Sequence, residues 1–367
     1  MTPQVSLFED EKDRFESEES DNIKSVMPPK DIVAFNELRS CADLYRLKTK
    51  KQLDLNPDFQ RGIVWSNKSQ TLFVDSLIKQ LPIPSLCVSL DINTQKRLVI
   101  DGLQRISTIV KFLNEDEDWK LSKVDDVDER ISGKKRSEIQ TNNNDLYEIL
   151  ENATIPVTVL RCNYNNKIHM EYLFQIFHRL NSGGNKLYNQ EIRNCIYQGT
   201  LNTHLKSFVR TDFWKIFANV TDDKIEKSRF ANEELLLRFY AFYFDVNSYN
   251  GRLAIFLNNF MEIHKDIEED RIEDFSKIII ATLNLINDNL IDEIRNLGKT
   301  VIESLLIGVS KNIDKLNSLS SVKIKELLQC MLDSPEFTQL ELSEGLSQPD
   351  KVKSRLNKAI FIFSAND

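Results

Sequence analysis

The chain has 367 residues, a formal net charge of −8, 41% hydrophobic and 28% charged residues. That length suits about two domains, and the composition excludes collagenous, fully disordered and disulfide-scaffold classes. No apolar run approaches the ~18 residues a membrane helix needs, and the start has neither a basic nor an apolar leader region, so a cytoplasmic protein with no membrane partner is expected.

Residues 1–21 carry a net −6, whereas Tyr45 to Lys111 carries +6 and Arg161 to Lys215 carries +5. Two basic segments inside an acidic chain suit a phosphate-bearing partner, a nucleotide or a nucleic acid backbone, although scattered surface lysines give the same count. Segment 1–28 is acidic and poor in aromatics, the composition of a disordered tail. The folded part is expected from about Ser40, which can cap a short helix in SCADLYRLKTK, followed by an alternating KQLDL strand and the Asn56-Pro57 turn signal. In NKSQTLFVDSLIKQL, Leu72, Phe73, Leu77 and Leu81 predict one face of a helix, and LPIPSLCVSLDI a strand entered through two prolines. KRLVI predicts a strand, Asp101-Gly102 a sharp turn, and LQRISTIVKFLN a helix with Ile106, Ile109, Val110 and Leu113 buried.

Residues 115–153 are polar and weakly periodic, which predicts a mobile insertion with at most short helices. IPVTVLRC restores a strand, and two helices, HMEYLFQIFHRL and YNQEIRNCIYQG, flank the loop NSGGNKL. From Leu201 onward nearly every stretch has helical spacing. The organisation expected is therefore α+β: a disordered tail over 1–28, a mixed domain over 29–200 with its insertion at 115–153, and an all-helical domain over 201–367.

Several chemistries lack their residues. Gly298-Lys299-Thr300 resembles the end of a P-loop, but Glu293 stands where its first glycine belongs. Four histidines, His169, His178, His204 and His264, show neither H-E-x-x-H nor zinc spacing. Cys41, Cys87, Cys162, Cys195 and Cys330 form no C-x-x-C pair, which argues for reduced thiols.

The strand-turn-helix LVI-DG-LQRISTIV is the clearest positive signal. A strand running through Asp-Gly into a helix exposes first-turn amides where the dipole favours anions. Gln104 and Arg105 sit in that first turn; Arg105 offers a planar fork to phosphate oxygens, and Asp101 can orient it or hold a magnesium-bound water. The alternative is that Asp101 caps the helix and Arg105 is solvated. A second cluster, NPDFQRGIVWS, brings Gln60, Arg61 and Trp65 together; a base can stack on Trp65 while Arg61 meets phosphate, or Trp65 closes the core and Arg61 makes a surface pair. In the third, FHRLNSGGNKLYNQEIRN, Arg179 and Asn181 end one helix, Gly183-Gly184 allow close backbone approach, and Glu191, Arg193 and Asn194 begin the next.

In this order the blocks resemble the N-terminal domain of the GmrSD type IV restriction enzymes, a prokaryotic family of ParB/sulfiredoxin-like fold. The pattern is carried by Gln60-Arg61 with Trp65, Pro82-Ile83-Pro84, Ile100-Asp101-Gly102-Leu103-Gln104-Arg105-Ile106-Ser107-Thr108, Ile155-Pro156-Val157, Arg179-Leu180-Asn181-Ser182-Gly183-Gly184 and Glu191-Ile192-Arg193-Asn194, over about residues 38–200. The resemblance implies a ParB-like nucleotide-binding domain with ATP or GTP and Mg2+ as cofactors. It implies Asp101, Gln104 and Arg105 as catalytic residues, Asp101 as metal contact, and Gln60, Arg61, Trp65, Gly102, Ser107, Thr108, Arg179, Asn181, Gly183, Gly184, Glu191, Arg193 and Asn194 as nucleotide contacts. Leu103 stands where the family has a first glutamine, which bears on hydrolysis more than on binding. The helical half lacks the histidines of an HNH nuclease centre, so none is expected in this chain.

Three functions compete. In the first the chain is an NTP-binding and hydrolysing sensor of a prokaryotic defence system against foreign DNA, its helical domain contacting a nuclease or effector protein. The others are a non-enzymatic DNA-binding module and a metal-dependent DNA nickase with the metal on Asp101 and further carboxylates.

Overall fold

The computed structural model describes residues 27–55, 65–180, 187–343 and 345–365. Most of the acidic segment, up to residue 26, lies outside them. The chain divides into two compact units, Ser25–Leu187 and Tyr188–Asp367. The first is mixed α and β and the second is helical, an α+β chain with a helical C-terminal region.

The sheet unit begins with a strand that the alternation did not mark, β1 (Val33–Ser40). Its residues are mostly exposed on both faces because it is an edge strand, so no burial pattern is imprinted on VAFNELRS. Then come α1 (Cys41–Thr49), β2 (Leu53–Asp54), α2 (Asn67–Ile78), β3 (Leu86–Asp91), β4 (Arg97–Asp101) and α3 (Leu103–Leu113). Next are α4 (Arg136–Asn142), α5 (Asn144–Asn152), β5 (Thr154–Cys162) and α6 (Lys167–Leu180). Ser40 caps α1 by accepting from Asp43 N at 3.1 Å, and Ser66 caps α2 by accepting from Ser69 N at 3.1 Å.

The five strands form one sheet in the order β1-β5-β3-β4-β2. β1 runs antiparallel to β5, with Val33 opposite Arg161, and β5 runs parallel to β3, with Leu86 opposite Val157. β3 is antiparallel to β4, with Cys87 opposite Asp101 and a register shift at Cys87/Val88. Every residue of the central strand β3 is buried, as its near-continuous apolar run LCVSL requires.

On α2 the buried stripe is Phe73, Val74, Leu77 and Ile78, and both Leu72 and Leu81 are exposed. The inward face is thus turned about one residue from the predicted one. Segment 115–153 is packed rather than a free excursion: Trp119, Leu121, Val127, Ile131, Ile139, Leu146 and Leu150 are all buried. Trp119 and Tyr147 both pack against Phe112 of α3, at 6.5 and 6.0 Å between ring centroids. Leu146, Tyr147 and Leu150 keep helical spacing on the short α5, but Trp119, Leu121, Val127, Ile131 and Ile139 are single apolar residues at irregular spacing, so no sustained helical or strand period announces the segment.

In the helical unit, helices span α7 (Asn189–Ile196) to the terminal helix Pro349–Phe363. The core is aromatic, with Trp214, Phe239, Tyr240 and Phe363 fully buried and Tyr240 4.8 Å from Phe275. Helix Lys299–Ser310 crosses the terminal helix at Gly308, where a Cβ would meet the Ala359 backbone at 2.9 Å. Among the described residues no helix is long and apolar enough to cross a membrane.

Candidate functional site

The junction between β4 and α3 gathers three of the sequence blocks. Gly102 is the N-cap of α3 with φ +97, a backbone state that favours glycine, and a Cβ there would lie 2.3 Å from Leu86 Cδ2. Asp101 therefore ends the strand without capping the helix. Its Oδ2 instead accepts from Arg105 Nη2 at 2.8 Å, with the Asp101 side chain 45% and the Arg105 side chain 13% exposed.

Arg105 is not solvated either. Its Nη1 donates to the Pro84 carbonyl and to Ser85 O at 3.4 Å. These contacts engage three of its five N–H donors, and they give the Pro82-Ile83-Pro84 block a physical use. Proline fixes φ, so the turn into β3 presents a rigid carbonyl to Arg105.

Gln104 joins the tryptophan block to the same corner. Its Oε1 accepts from Trp65 N at 3.1 Å. The Trp65 ring is half-buried and meets Phe73 edge-on at 5.5 Å, between the stacking and core-closing alternatives. Thr108 is fully buried and donates Oγ1 to Gln104 O at 2.7 Å, which satisfies its buried hydroxyl within α3, whereas Ser107 is half-buried. Beneath the corner Cys87 is buried opposite Asp101, and burial, then the Asp101 charge, push its thiol up to about 12.

The remaining expected contacts divide. Gln60, Arg61, Asn181, Gly183 and Gly184 lie outside the described residues. Arg179 is exposed in the last turn of α6. Glu191, Arg193 and Asn194 are 2%, 0% and 0% exposed and belong to the helical unit.

Glu191 receives Arg229 Nε at 3.0 Å and Nη2 at 2.6 Å, and caps α7 by accepting from Tyr188 N at 2.8 Å. Arg193 donates to Asn258 Oδ1 at 2.9 Å and Gln190 Oε1 at 3.0 Å, with Glu234 at 3.4 Å. Burial would raise the Glu234 carboxyl, but Lys299, Arg238 and Arg193 together hold it well below the carboxylate range. These contacts build the core of the helical unit and leave the three residues shielded from solvent.

Sequence reading missed the side chains behind the corner. Gln70 is 2% exposed, donates Nε2 to Trp65 O at 3.2 Å and accepts from Lys111 Nζ at 3.1 Å. Lys111 lies 4.3 Å from the Trp119 ring centroid, and burial lowers its pKa. The available signal was a glutamine three residues before Phe73, on the inward face of α2.

Among the described residues no three of His, Cys, Asp and Glu gather where they could hold a metal ion. No curated protein and no solved structure matches the chain. Residues 41–198 match the family model described as GmrSD restriction endonuclease, N-terminal domain, and over that span the chain is similar to the GmrSD-type N-terminal domain family.

Proposed function

We propose that the chain is a nucleotide-binding sensor module of a restriction-type defence system, with the Asp101–Arg105 corner as the phosphate seat and ATP or GTP with Mg2+ as the ligand. The similarity of residues 41–198 to that family supports a restriction context and contact with DNA. The observation that carries the nucleotide reading is the convergence of Trp65, Gln104, Arg105 and Asp101 on the first turn of α3. There the helix dipole favours anions, the guanidinium keeps donors in reserve, and a single half-exposed carboxylate suits a magnesium ion already held by phosphates. The ParB/sulfiredoxin-like fold implied by the resemblance belongs to this reading, as does a nuclease or effector protein docking on the helical unit.

Hydrolysis would need a water aligned on the terminal phosphate. Gln104 is the residue of the corner suited to orient it, and Leu103 supplies no second amide. Binding to DNA without turnover is the second reading, favoured by the +6 and +5 segments. A metal-dependent nickase is the least supported, because among the described residues no cluster of further ligands gathers at Asp101.

Thermal melting with ATP and GTP, with and without magnesium, and with DNA, separates these readings. A nucleotide at 100 times its Kd should add about 2.7 kcal/mol. Stabilisation by DNA alone would favour the second reading, and phosphate release would establish turnover. Metal-dependent plasmid nicking lost in Asp101→Ala would establish the third.

A further inference from the structure

Trp65 is gripped at both polar atoms of its backbone by side-chain amides from two different helices. Gln104 of α3 accepts its N–H at 3.1 Å, and Gln70 of α2 donates to its carbonyl at 3.2 Å. Buried glutamines are uncommon, and Gln70 is 2% exposed. A row of polar contacts continues from Gln70 away from the corner. Lys111 Nζ meets Gln70 Oε1 at 3.1 Å and Asn67 Oδ1 at 3.5 Å, and Asn67 Oδ1 also accepts from Trp119 Nε1 at 2.8 Å.

Helical spacing explains the row. Gln104 and Lys111 are seven apart on α3, and Asn67 and Gln70 three apart on α2, so each pair lies along one helix face. Segment 115–153 enters through Trp119, which closes the far end against Lys111.

We propose that Gln70 and Lys111 are positioning residues that hold the Trp65 peptide unit, and thereby its ring, as a stacking platform for a nucleobase beside the phosphate seat. This rests on the nucleotide reading and deepens it by assigning the base end of the ligand. An aromatic platform is useful only if its orientation is fixed before the ligand arrives, since ordering a loose side chain on binding subtracts from affinity. A merely structural row would hold α2 against α3 and leave Trp65 indifferent to it.

Gln70→Glu separates the two roles. The carboxylate keeps an acceptor for Lys111 Nζ, so the contact between helices persists, but it has no hydrogen to donate to Trp65 O. Lys111→Met tests the other member by removing the ammonium while keeping an unbranched stem.

Two readouts on the full chain decide the matter. The first is hydrogen exchange of the Trp65 backbone amide without ligand. The second is quenching of Trp65 fluorescence by ATP and GTP with magnesium, with Trp65→Phe assigning the signal among Trp65, Trp119 and Trp214. The expected result in Gln70→Glu is at least tenfold faster exchange at Trp65, unchanged exchange in α3 beyond Lys111, and at least tenfold weaker quenching. Lys111→Met should move Trp65 in the same direction by a smaller factor.

Wild-type exchange at Trp65 in both variants would overturn the positioning role, whether or not any nucleotide binds. Faster exchange in a protein whose wild type shows no quenching and no nucleotide-dependent melting would overturn the nucleobase as occupant and the nucleotide reading with it, leaving the clamp standing.

Discussion

Arg105 and Arg193 both lie in helices that open behind a family sequence block, and their surroundings differ. Arg105 has its side chain 13% exposed and uses part of its fork on the half-exposed Asp101 and two carbonyls. Arg193 is fully buried against Asn258, Gln190 and Glu234, in a core that also holds Lys299, Arg238 and Glu303. The matched span, residues 41–198, crosses the boundary between the compact units at Leu187/Tyr188. One sequence pattern thus covers a solvent-facing corner with donors in reserve and a sealed charge network. Position in a motif does not reveal which residues are open to solvent with donors to spare; burial and the number of donors already engaged do.

The largest effect should come from breaking the sealed network. Arg193→Ala strips Glu234 and Asn258 of a partner away from water, and losses of about 3–5 kcal/mol are typical when one member of a buried ion pair is removed. Urea unfolding followed through Trp214, which is fully buried in the helical unit, measures it. A loss below about 1 kcal/mol would erase the contrast with Arg105.

The helical unit also carries the clearest pH dependence. His204 is 8% exposed and bonded to Tyr240 OH at 2.9 Å, and burial lowers its pKa from 6.5 to about 4. Protonation is therefore easier in the unfolded chain, so this contribution is full above about pH 6.5 and falls as the pH drops towards 4. Between pH 7 and 4.5 the wild type should lose roughly 2–3 kcal/mol more than His204→Gln. Equal losses in the two proteins would mean that His204 protonates as readily folded as unfolded.

In the sheet unit the most costly small change should be at Gly102, where geometry and not charge is at stake. Gly102→Ala combines an unfavourable φ with a Cβ 2.3 Å from Leu86 Cδ2, and about 2 kcal/mol is expected. Adding Leu86→Val should recover part of the loss by opening space, while the backbone cost stays. No recovery would locate the whole penalty in φ.

These contrasts explain how much could be read from the sequence. The helix start at Ser40, the strand-turn-helix at Asp101-Gly102 and the helical second half were legible because caps, glycine and helical periods leave local marks. The edge strand Val33–Ser40 was not, since a strand exposed on both faces has no reason to alternate. Nor was the packing of Trp119, Ile131 and Leu150, whose burial is a tertiary fact. At the site the residue types of the corner were legible, but the Pro84 carbonyl behind Arg105 and the burial of Arg193 are tertiary facts. The resemblance placed Glu191, Arg193 and Asn194 in the same pool as Arg105, because a motif carries residue types and order but not burial.

The smallest stability effect and the sharpest functional one should coincide at Arg105. Arg105→Ala removes a partly exposed ion pair, which contributes under about 1 kcal/mol in most proteins, and two hydrogen bonds to carbonyls at the edge of solvent. Both carbonyls can regain water, so the ligand-free protein should lose only about 1–2 kcal/mol. If the corner seats phosphate, the same substitution should abolish stabilisation by ATP or GTP with magnesium. Arg105→Lys should restore part of the ligand-free stability but little of the nucleotide effect, because an ammonium keeps the charge and loses the planar fork that can bridge Asp101 and a phosphate together. Melting curves of the three proteins across a nucleotide series decide it. A ligand-free loss of 3 kcal/mol or more would place Arg105 with Arg193 among the architectural arginines, and full nucleotide stabilisation in Arg105→Ala would move the phosphate seat elsewhere on the chain.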